Sequence, residues 1–245
     1  MGEFEIIEKE KEFSGDIGRL RKEFCLDFIR HKQESFHRIE SEIAVQIAAQ
    51  GETVTCHKGC PACCVMYVEA NVQECETIAY YLYERPLVMS HFLKQYEWWR
   101  ERMRQLGEPF SHCEKVLHLK QRKELSHYDR DVLFNVLPLY HEANIPCSFL
   151  DDGFCSIYDV RPYCCANHYV TTPEDWCRSE NCCNPAFPHR PKVYMTDIDE
   201  IYDCSFYHRR LSKPVIGFLP TIVYRILTEG LDYVVELTGI TSLVH

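Results

Sequence analysis

The stretch CHKGCPACC, residues 56–64, sets Cys56, Cys60, Cys63 and Cys64 within nine positions. Thiolates this close together bind soft or borderline metals and iron–sulfur clusters. Gly59 permits a sharp turn, and Pro61 suits the first position of a helix. Cys60 is then expected near the N-cap, with Cys63 and Cys64 in the first turn. Free N–H groups and the positive end of a helix dipole favour thiolate there, the form that binds metal. A lone free cysteine packs like a small hydrophobe. Packing does not account for four of them around a glycine and a proline.

A second dense stretch, CSFLDDGFCSIYDVRPYCC, covers residues 147–165. Ser148 to Leu150 and Phe154 to Ile157 are strand candidates joined by an Asp151, Asp152, Gly153 turn, and Pro162 is placed to open a helical turn carrying Cys164 and Cys165. A hairpin register follows if Cys147 and Cys155 act together. A three-residue loop, with Gly153 left-handed, sets Phe149 opposite Cys155 and leaves Cys147 on the same face as a diagonal neighbour. A two-residue turn sets Leu150 opposite Cys155 and, for a continuous strand, sends Cys147 to the other face.

Together the two blocks resemble the YkgJ-type cysteine-cluster family, a zinc- or iron-chelating domain with a CxxCxxCC signature and a second block of roughly CxFLxxxxCxIYxxRPxxC. The resemblance spans about residues 53–180. It implies metal ligation by Cys56, Cys60, Cys63, Cys64, Cys147, Cys155 and Cys164, with Cys177 of TTPEDWC as a further family cysteine, and it includes Arg161 and Pro162. Flagellin lysine N-methylases resemble the same family and carry an iron–sulfur cluster, so the resemblance makes methyl transfer conceivable, although most members have no assigned reaction. Cys165 is a thiol that the family pattern lacks.

The chemistry of the centre has two readings. Loop zinc sites usually draw two separated Cys or Cys/His pairs into one tetrahedron, whereas iron–sulfur sites more often take several cysteines from one run and another from afar. One compact block, one dispersed block and a near absence of histidine favour an iron–sulfur cluster over Zn²⁺. Vicinal Cys63 and Cys64 diverge, so both bind only where a cluster or a second metal presents separate atoms. Eight cysteines also exceed the four of one closed site. The Cys-x3-Cys-x2-Cys spacing occurs in radical S-adenosylmethionine enzymes too, but those use a β/α barrel, and no alternation of strands and helices follows here. Arg161 either offsets thiolate charge, as a cofactor-binding residue, or pairs with Asp159 or Asp151 to fix the hairpin. Glu69 and Glu74 lie near the first block as acid or base candidates, and His168 is either a ligand, a proton donor or a hydrogen-bonding loop residue.

Helices must position these blocks. Phe13, Ile17, Leu20, Phe24 and Phe28, then Ile39, Ile43 and Ile47, predict a long amphipathic helix over 13–50, with a break near His31 and an end at Gly51. Asn71 with Glu74 forms a capping-box pattern for a helix from Val72 to Glu84, ending before Pro86. Phe92, Tyr96, Trp99, Met103 and Leu106 mark a third helix, and Val132 to His141 a fourth, with Pro138 a kink. Residues 144–191 lack helical period and require something besides an apolar core, namely metal, to order them. Helical spacing returns at Ile198, Ile201 and Cys204, and through Ile216 to Leu237. Cys25, Cys75 and Cys204 fall on apolar helix faces, Cys113 near a helix start, and Cys182 and Cys183 outside the family pattern; none of these is expected to bind metal.

The expected fold is mainly α: a single domain over 1–245, with a cysteine-rich metal-binding region at 53–180 containing a short β-hairpin, and flanking helices at 13–50 and 197–240. Fifteen cysteines in a 245-residue chain, without a signal-peptide pattern, suggest a cytoplasmic protein using thiols for metal or redox chemistry. A net charge of −10 argues against nucleic acid or an anionic membrane as partner. No apolar run reaches the ~18 residues of a membrane-spanning helix.

Overall fold

A computed structural model describes residues 5–107, 111, 139–182, 186–197, 205–207, 209–211 and 215–240. The expected helix over Val132–His141, except for its last residues, lies outside the described residues. So do Ile198, Ile201, Cys113, Cys183 and Cys204.

After a short helix α1 (Lys9–Glu12), α2 runs unbroken from Gly15 to Ala49. The break expected near His31 does not occur, because the chain there is continuously anchored on its inner side by Cys25, Lys32, Ser35 and Ile39, all buried. Strand β1 (Glu69–Asn71) leads directly into α3 (Val72–Tyr83), and α4 (Pro86–Gln105) follows with its proline in the first turn. The capping box of α3 forms as its sequence implies: Glu74 N–H donates to Asn71 Oδ1 at 2.8 Å, and Asn71 N–H donates to Glu74 Oε2 at 3.1 Å.

The chain then builds a small-element region. Its parts are β2 (Leu150–Asp151), β3 (Phe154–Cys155), a 3₁₀ turn at Tyr158–Val160, α5 (Tyr163–Ala166) and β4 (Tyr169–Val170). A second 3₁₀ turn (Glu174–Cys177), α6 (Ser179–Cys182) and β5 (Val193–Tyr194) complete it. A two-stranded β6–β7 ribbon (Ser205–Phe206 and Arg209–Arg210) precedes β8 (Ile216–Phe218) and the last helix, α7 (Leu219–Thr238). The segment from Ile216 expected as helix thus begins as strand. Ile216, Gly217 and Phe218 pair antiparallel with Asn71, Ala70 and Glu69. That pairing fastens the chain leading into α3 to the chain leading into α7.

Helix α3 is the centre of the molecule, with α2, α4 and α7 packed around it and all twelve of its residues buried. Its apolar side chains join the main core with Phe92, Trp99, Phe149, Phe218, Ile222 and Val234. A helix buried on every side also buries its polar residues, and these need partners. Glu76 accepts from Arg21 Nε at 2.7 Å, and Arg21 also pairs with Glu12. Lys32, fully buried, donates to Glu74 Oε1 at 3.3 Å and to the Val160 carbonyl at 3.0 Å. Two cations of α2 therefore answer two carboxylates of α3.

Candidate metal centre

The first cysteine block folds as a chain of tight turns. Cys60 N–H donates to the His57 carbonyl (3.1 Å), Cys64 N–H to that of Pro61 (2.9 Å), and Met66 N–H to that of Cys63 (3.0 Å). The helix expected to begin at Pro61 is absent, since each bond closes three residues back and none continues to the next turn. Gly59 holds φ +94° where the ring of Phe154 presses in; a Cβ there would stand 2.9 Å from that ring. Glycine is needed at this position both for its backbone angle and for the approach of the second block.

The second block forms the hairpin with a two-residue turn. Leu150 faces Cys155 and Asp151 faces Phe154, while Asp152 and Gly153 both take positive φ, +50° and +85°. This is the two-residue geometry that matches strand twist. Gly153 is left-handed as anticipated, but the three-residue loop and the Phe149–Cys155 pairing are overturned. The inference that Cys147 then falls on the wrong face also fails. Leu150 N–H donates to the Cys147 carbonyl at 2.9 Å, so the chain turns between them and Cys147 is not on the strand whose faces alternate.

Three contacts join the blocks. Cys147 N–H donates to the Cys64 carbonyl at 2.7 Å, Phe154 covers Gly59, and the Lys58 ammonium lies 4.8 Å over the Tyr158 ring. The thiols gathered by this docking sense one another. Cys63 is held below the ordinary thiol range by a hydrogen bond from Cys64, with burial opposing this and the Arg161 charge assisting. Cys64, which keeps the shared proton, is pushed up by that bond, by burial, and by Cys63, Cys147 and Cys155. Burial, then Cys165, Cys155 and Cys63, raise Cys147. Cys155 is pushed up to about 11 by burial and by Cys165, against Arg161. Cys165 is raised by its bond with Cys164, by burial and by Cys63. Buried thiols that also crowd one another, as Cys147 and Cys155 do, hold protons until a cation replaces them.

Cys63, Cys64, Cys147, Cys155 and Cys165 therefore share one locus. Of the other cysteines implicated by sequence, Cys56 and Cys60 border it through Cys63. Cys56 Sγ accepts the Val170 N–H at 3.1 Å, and Cys60 lies beside Glu174. Cys164 is exposed; its Sγ donates to the Glu69 carbonyl at 3.1 Å and is hydrogen-bonded to Cys165, so it touches the locus through that neighbour. Cys177 sits half-buried in the 3₁₀ turn at Glu174–Cys177. Cys165 is the thiol that sequence pattern left out. Cys25 and Cys75 are buried in the core, consistent with their apolar faces.

Arg161 makes no ion pair with Asp159 or Asp151. Its guanidinium donates to the Tyr158 carbonyl at 2.7 Å and lies between the rings of Tyr158 (3.8 Å) and Phe36 (4.9 Å), a position from which its charge reaches Cys63 and Cys155. Behind the thiols, Glu74 Oε1 accepts the Tyr163 N–H at 2.8 Å as well as the Lys32 ammonium, so α5 is hung from the capping carboxylate of α3. Glu74 is thereby committed to structure and is not a free acid or base.

A pocket of about 550 Å³ opens beside the thiols. Cys63, Cys164 and Cys165 form one wall; Glu69 and His168 contribute polar groups, and Met66 and Met195 lie among its apolar lining. Burial holds His168 below its ordinary pKa.

The donor set fits a metal centre: five soft sulfurs and a nearby guanidinium. The spacing bears on which kind. Thiolates on one tetrahedral zinc stand roughly 3.8 Å apart, from Zn–S bonds of ~2.3 Å. Among the described residues no three of the cysteine sulfurs lie within 4.8 Å of one another. No family model, curated protein or solved structure matches this chain.

Proposed function

We propose that the chain is a member of the YkgJ-type cysteine-cluster family and holds an iron–sulfur cluster through Cys63, Cys64, Cys147, Cys155 and Cys165, serving a redox or methyl-transfer-related reaction in the adjoining pocket. The observation that carries this reading is the meeting of five thiols from both cysteine blocks at one locus, of which no three lie within 4.8 Å of one another. A cluster bound there would supply electron transfer or an iron atom able to take substrate.

The chain's own groups have separable tasks in this reading. Arg161 offsets the negative charge of the thiolates, and the aromatic rings on either side of it fix where that charge sits. Lys32 and Glu74 hold α5, and with it Cys165, against the helical core. The apolar part of the pocket excludes water from one side of the thiols, while Glu69 and the neutral His168 are its proton-handling groups.

Free thiols throughout the described residues agree with a reducing, cytoplasmic setting. No helix among the described residues is long and apolar enough to cross a membrane. The net charge of −10 speaks against a nucleic-acid partner.

Anaerobic purification followed by iron, zinc and acid-labile sulfide analysis, with a visible absorption spectrum, tests the reading. Iron and sulfide in similar amounts, with absorption that bleaches on reduction, is the expected result. Zinc without sulfide would replace it with a structural or metal-handling role.

A further inference from the structure

We infer that His57, Cys60 and Glu174 form a second metal site, for a single divalent ion of zinc type, separate from the five-thiol centre. One ligand atom from each lies within 4.8 Å of the other two, the only such trio of histidine, cysteine and acidic residues among the described residues. Around an ion with bonds of about 2.0–2.3 Å, ligand atoms stand roughly 3.3–3.8 Å apart, so modest rotation of these half-exposed side chains closes the site.

The trio is oriented as ligands are. His57 Nδ1 lies 3.2 Å from the Lys58 carbonyl, which can only accept, so the ring proton belongs on Nδ1. The lone pair is then on Nε2, the atom that lies 3.8 Å from Glu174 Oε2. An imidazole that donates its far N–H to a backbone carbonyl and presents the other nitrogen is the usual arrangement of a metal-bound histidine. Glu174 is similarly divided: Oε1 accepts from Arg178 at 3.4 Å, which leaves Oε2 toward His57.

The backbone brings the three together independently of any ion. Cys60 N–H closes a turn on the His57 carbonyl, setting both side chains on one loop. Thr55 ties that loop to the approach to Glu174, its N–H donating to the Val170 carbonyl at 2.9 Å and its hydroxyl to that of Thr172 at 2.6 Å. Mixed nitrogen, sulfur and oxygen donors suit zinc and unsuit an iron–sulfur cluster. Three protein ligands also leave a coordination position for water or substrate. The site takes Cys60 out of the cysteine set that sequence assigned to one centre.

Cobalt(II) is the probe, because its visible bands report thiolate ligation and coordination number. The full chain, His57→Ala and Glu174→Gln are purified anaerobically and titrated with cobalt, with iron, zinc and sulfide measured in parallel. Wild type is expected to take one micromolar-range equivalent with a sulfur-to-cobalt band, beyond any metal at the five-thiol centre. Each variant should lose that equivalent or bind it at least about tenfold more weakly, with iron and sulfide content unchanged. Unchanged cobalt binding in both variants overturns the site, as does binding in wild type only at millimolar cobalt. Loss of iron and sulfide together with the cobalt equivalent also overturns it, since Cys60 then belongs to one common centre. A protein with no iron or sulfide that still loses cobalt on His57→Ala keeps the second site and refutes the cluster instead.

Discussion

The backbone N–H of Cys147 donates to the carbonyl of Cys64 at 2.7 Å, so the two cysteine blocks are joined by main chain before any side chain binds anything. The five-thiol locus is therefore partly preorganised. An ion entering it must displace protons from Cys147 and Cys155, which burial and the neighbouring thiols hold protonated, but it does not have to bring the blocks together.

That arrangement separates two adjacent cysteines. Cys165→Ser removes a thiol that faces Cys63, Cys147 and Cys155, whereas Cys164→Ser removes an exposed one whose contacts are Cys165 and the Glu69 carbonyl. Metal content of the purified variants should fall steeply for Cys165→Ser and stay near wild type for Cys164→Ser. Equal retention in both would exclude Cys165 as a ligand.

Lys32 and Glu74 form a buried ion pair that fastens α2 to α3 and, through the Tyr163 N–H, to α5. Removing one partner strands the other charge. Lys32→Met is expected to cost about 3–5 kcal/mol in urea unfolding, and the double variant Lys32→Met, Glu74→Gln less than the sum of the single ones. Strict additivity would mean that the two side chains do not interact.

The hairpin turn carries two left-handed residues, of which only Asp152 bears a side chain. Gly153→Val forces a β-branched residue to φ +85°, although open space surrounds the position. The cost is thus conformational, about 1–2 kcal/mol, and should appear as lost hairpin order with weaker metal loading. Phe154→Val keeps the turn but gives up the ring that lies on Gly59. The turn variant should lose more metal than the ring variant, as metal analysis of the pair will show.

Glu52 fastens the β4–β5 hairpin to the end of α2 through Lys192, Thr171 and Tyr194. The hydrogen bonds from Lys192 and Thr171 hold its carboxyl below the usual carboxylate range. For an acid with a depressed folded-state pKa the stabilisation is present above the unfolded value, about 4.3, and is lost as pH falls through the folded one. Hydrogen exchange at the Thr171 amide should therefore speed up, relative to its intrinsic rate, as pH falls through and below the ordinary carboxylate range. In Glu52→Gln that acid-dependent step should disappear.

Metal removal tests what orders the irregular region. Chelation should make the described part of residues 144–191 more sensitive to protease while α3 stays protected, since α3 is buried on all sides by other helices. Unchanged cleavage there would mean that the contacts of Cys147, Phe154 and Lys58 hold the region without an ion.

What sequence determined by itself was local. The capping box of Asn71 and Glu74, the proline start of α4, the Ile39, Ile43, Ile47 face of α2 and the left-handed Gly153 each depend on neighbours within one or two turns, and so are written in spacing and residue type, whereas the buried Arg21 and Lys32 of α2 answer carboxylates on α3. The cysteine blocks were legible as blocks for the same reason. Their membership was not. Successive residues in a helical turn point about 100° apart, so whether Cys164 or Cys165 faces the other thiols depends on how α5 is hung from Glu74, a contact supplied by a distant helix. The same holds for the strand at Ile216, which takes its conformation from pairing with Asn71, and for Glu174, whose approach to His57 follows from the Thr55 tie. The hairpin register went wrong because alternation of faces applies only along a strand, and the turn between Cys147 and Leu150 ends that strand before the cysteine. Tertiary packing decided which thiols meet, because the cost of burying Lys32, Glu74 and the sulfurs is offset only by partners far away in the chain.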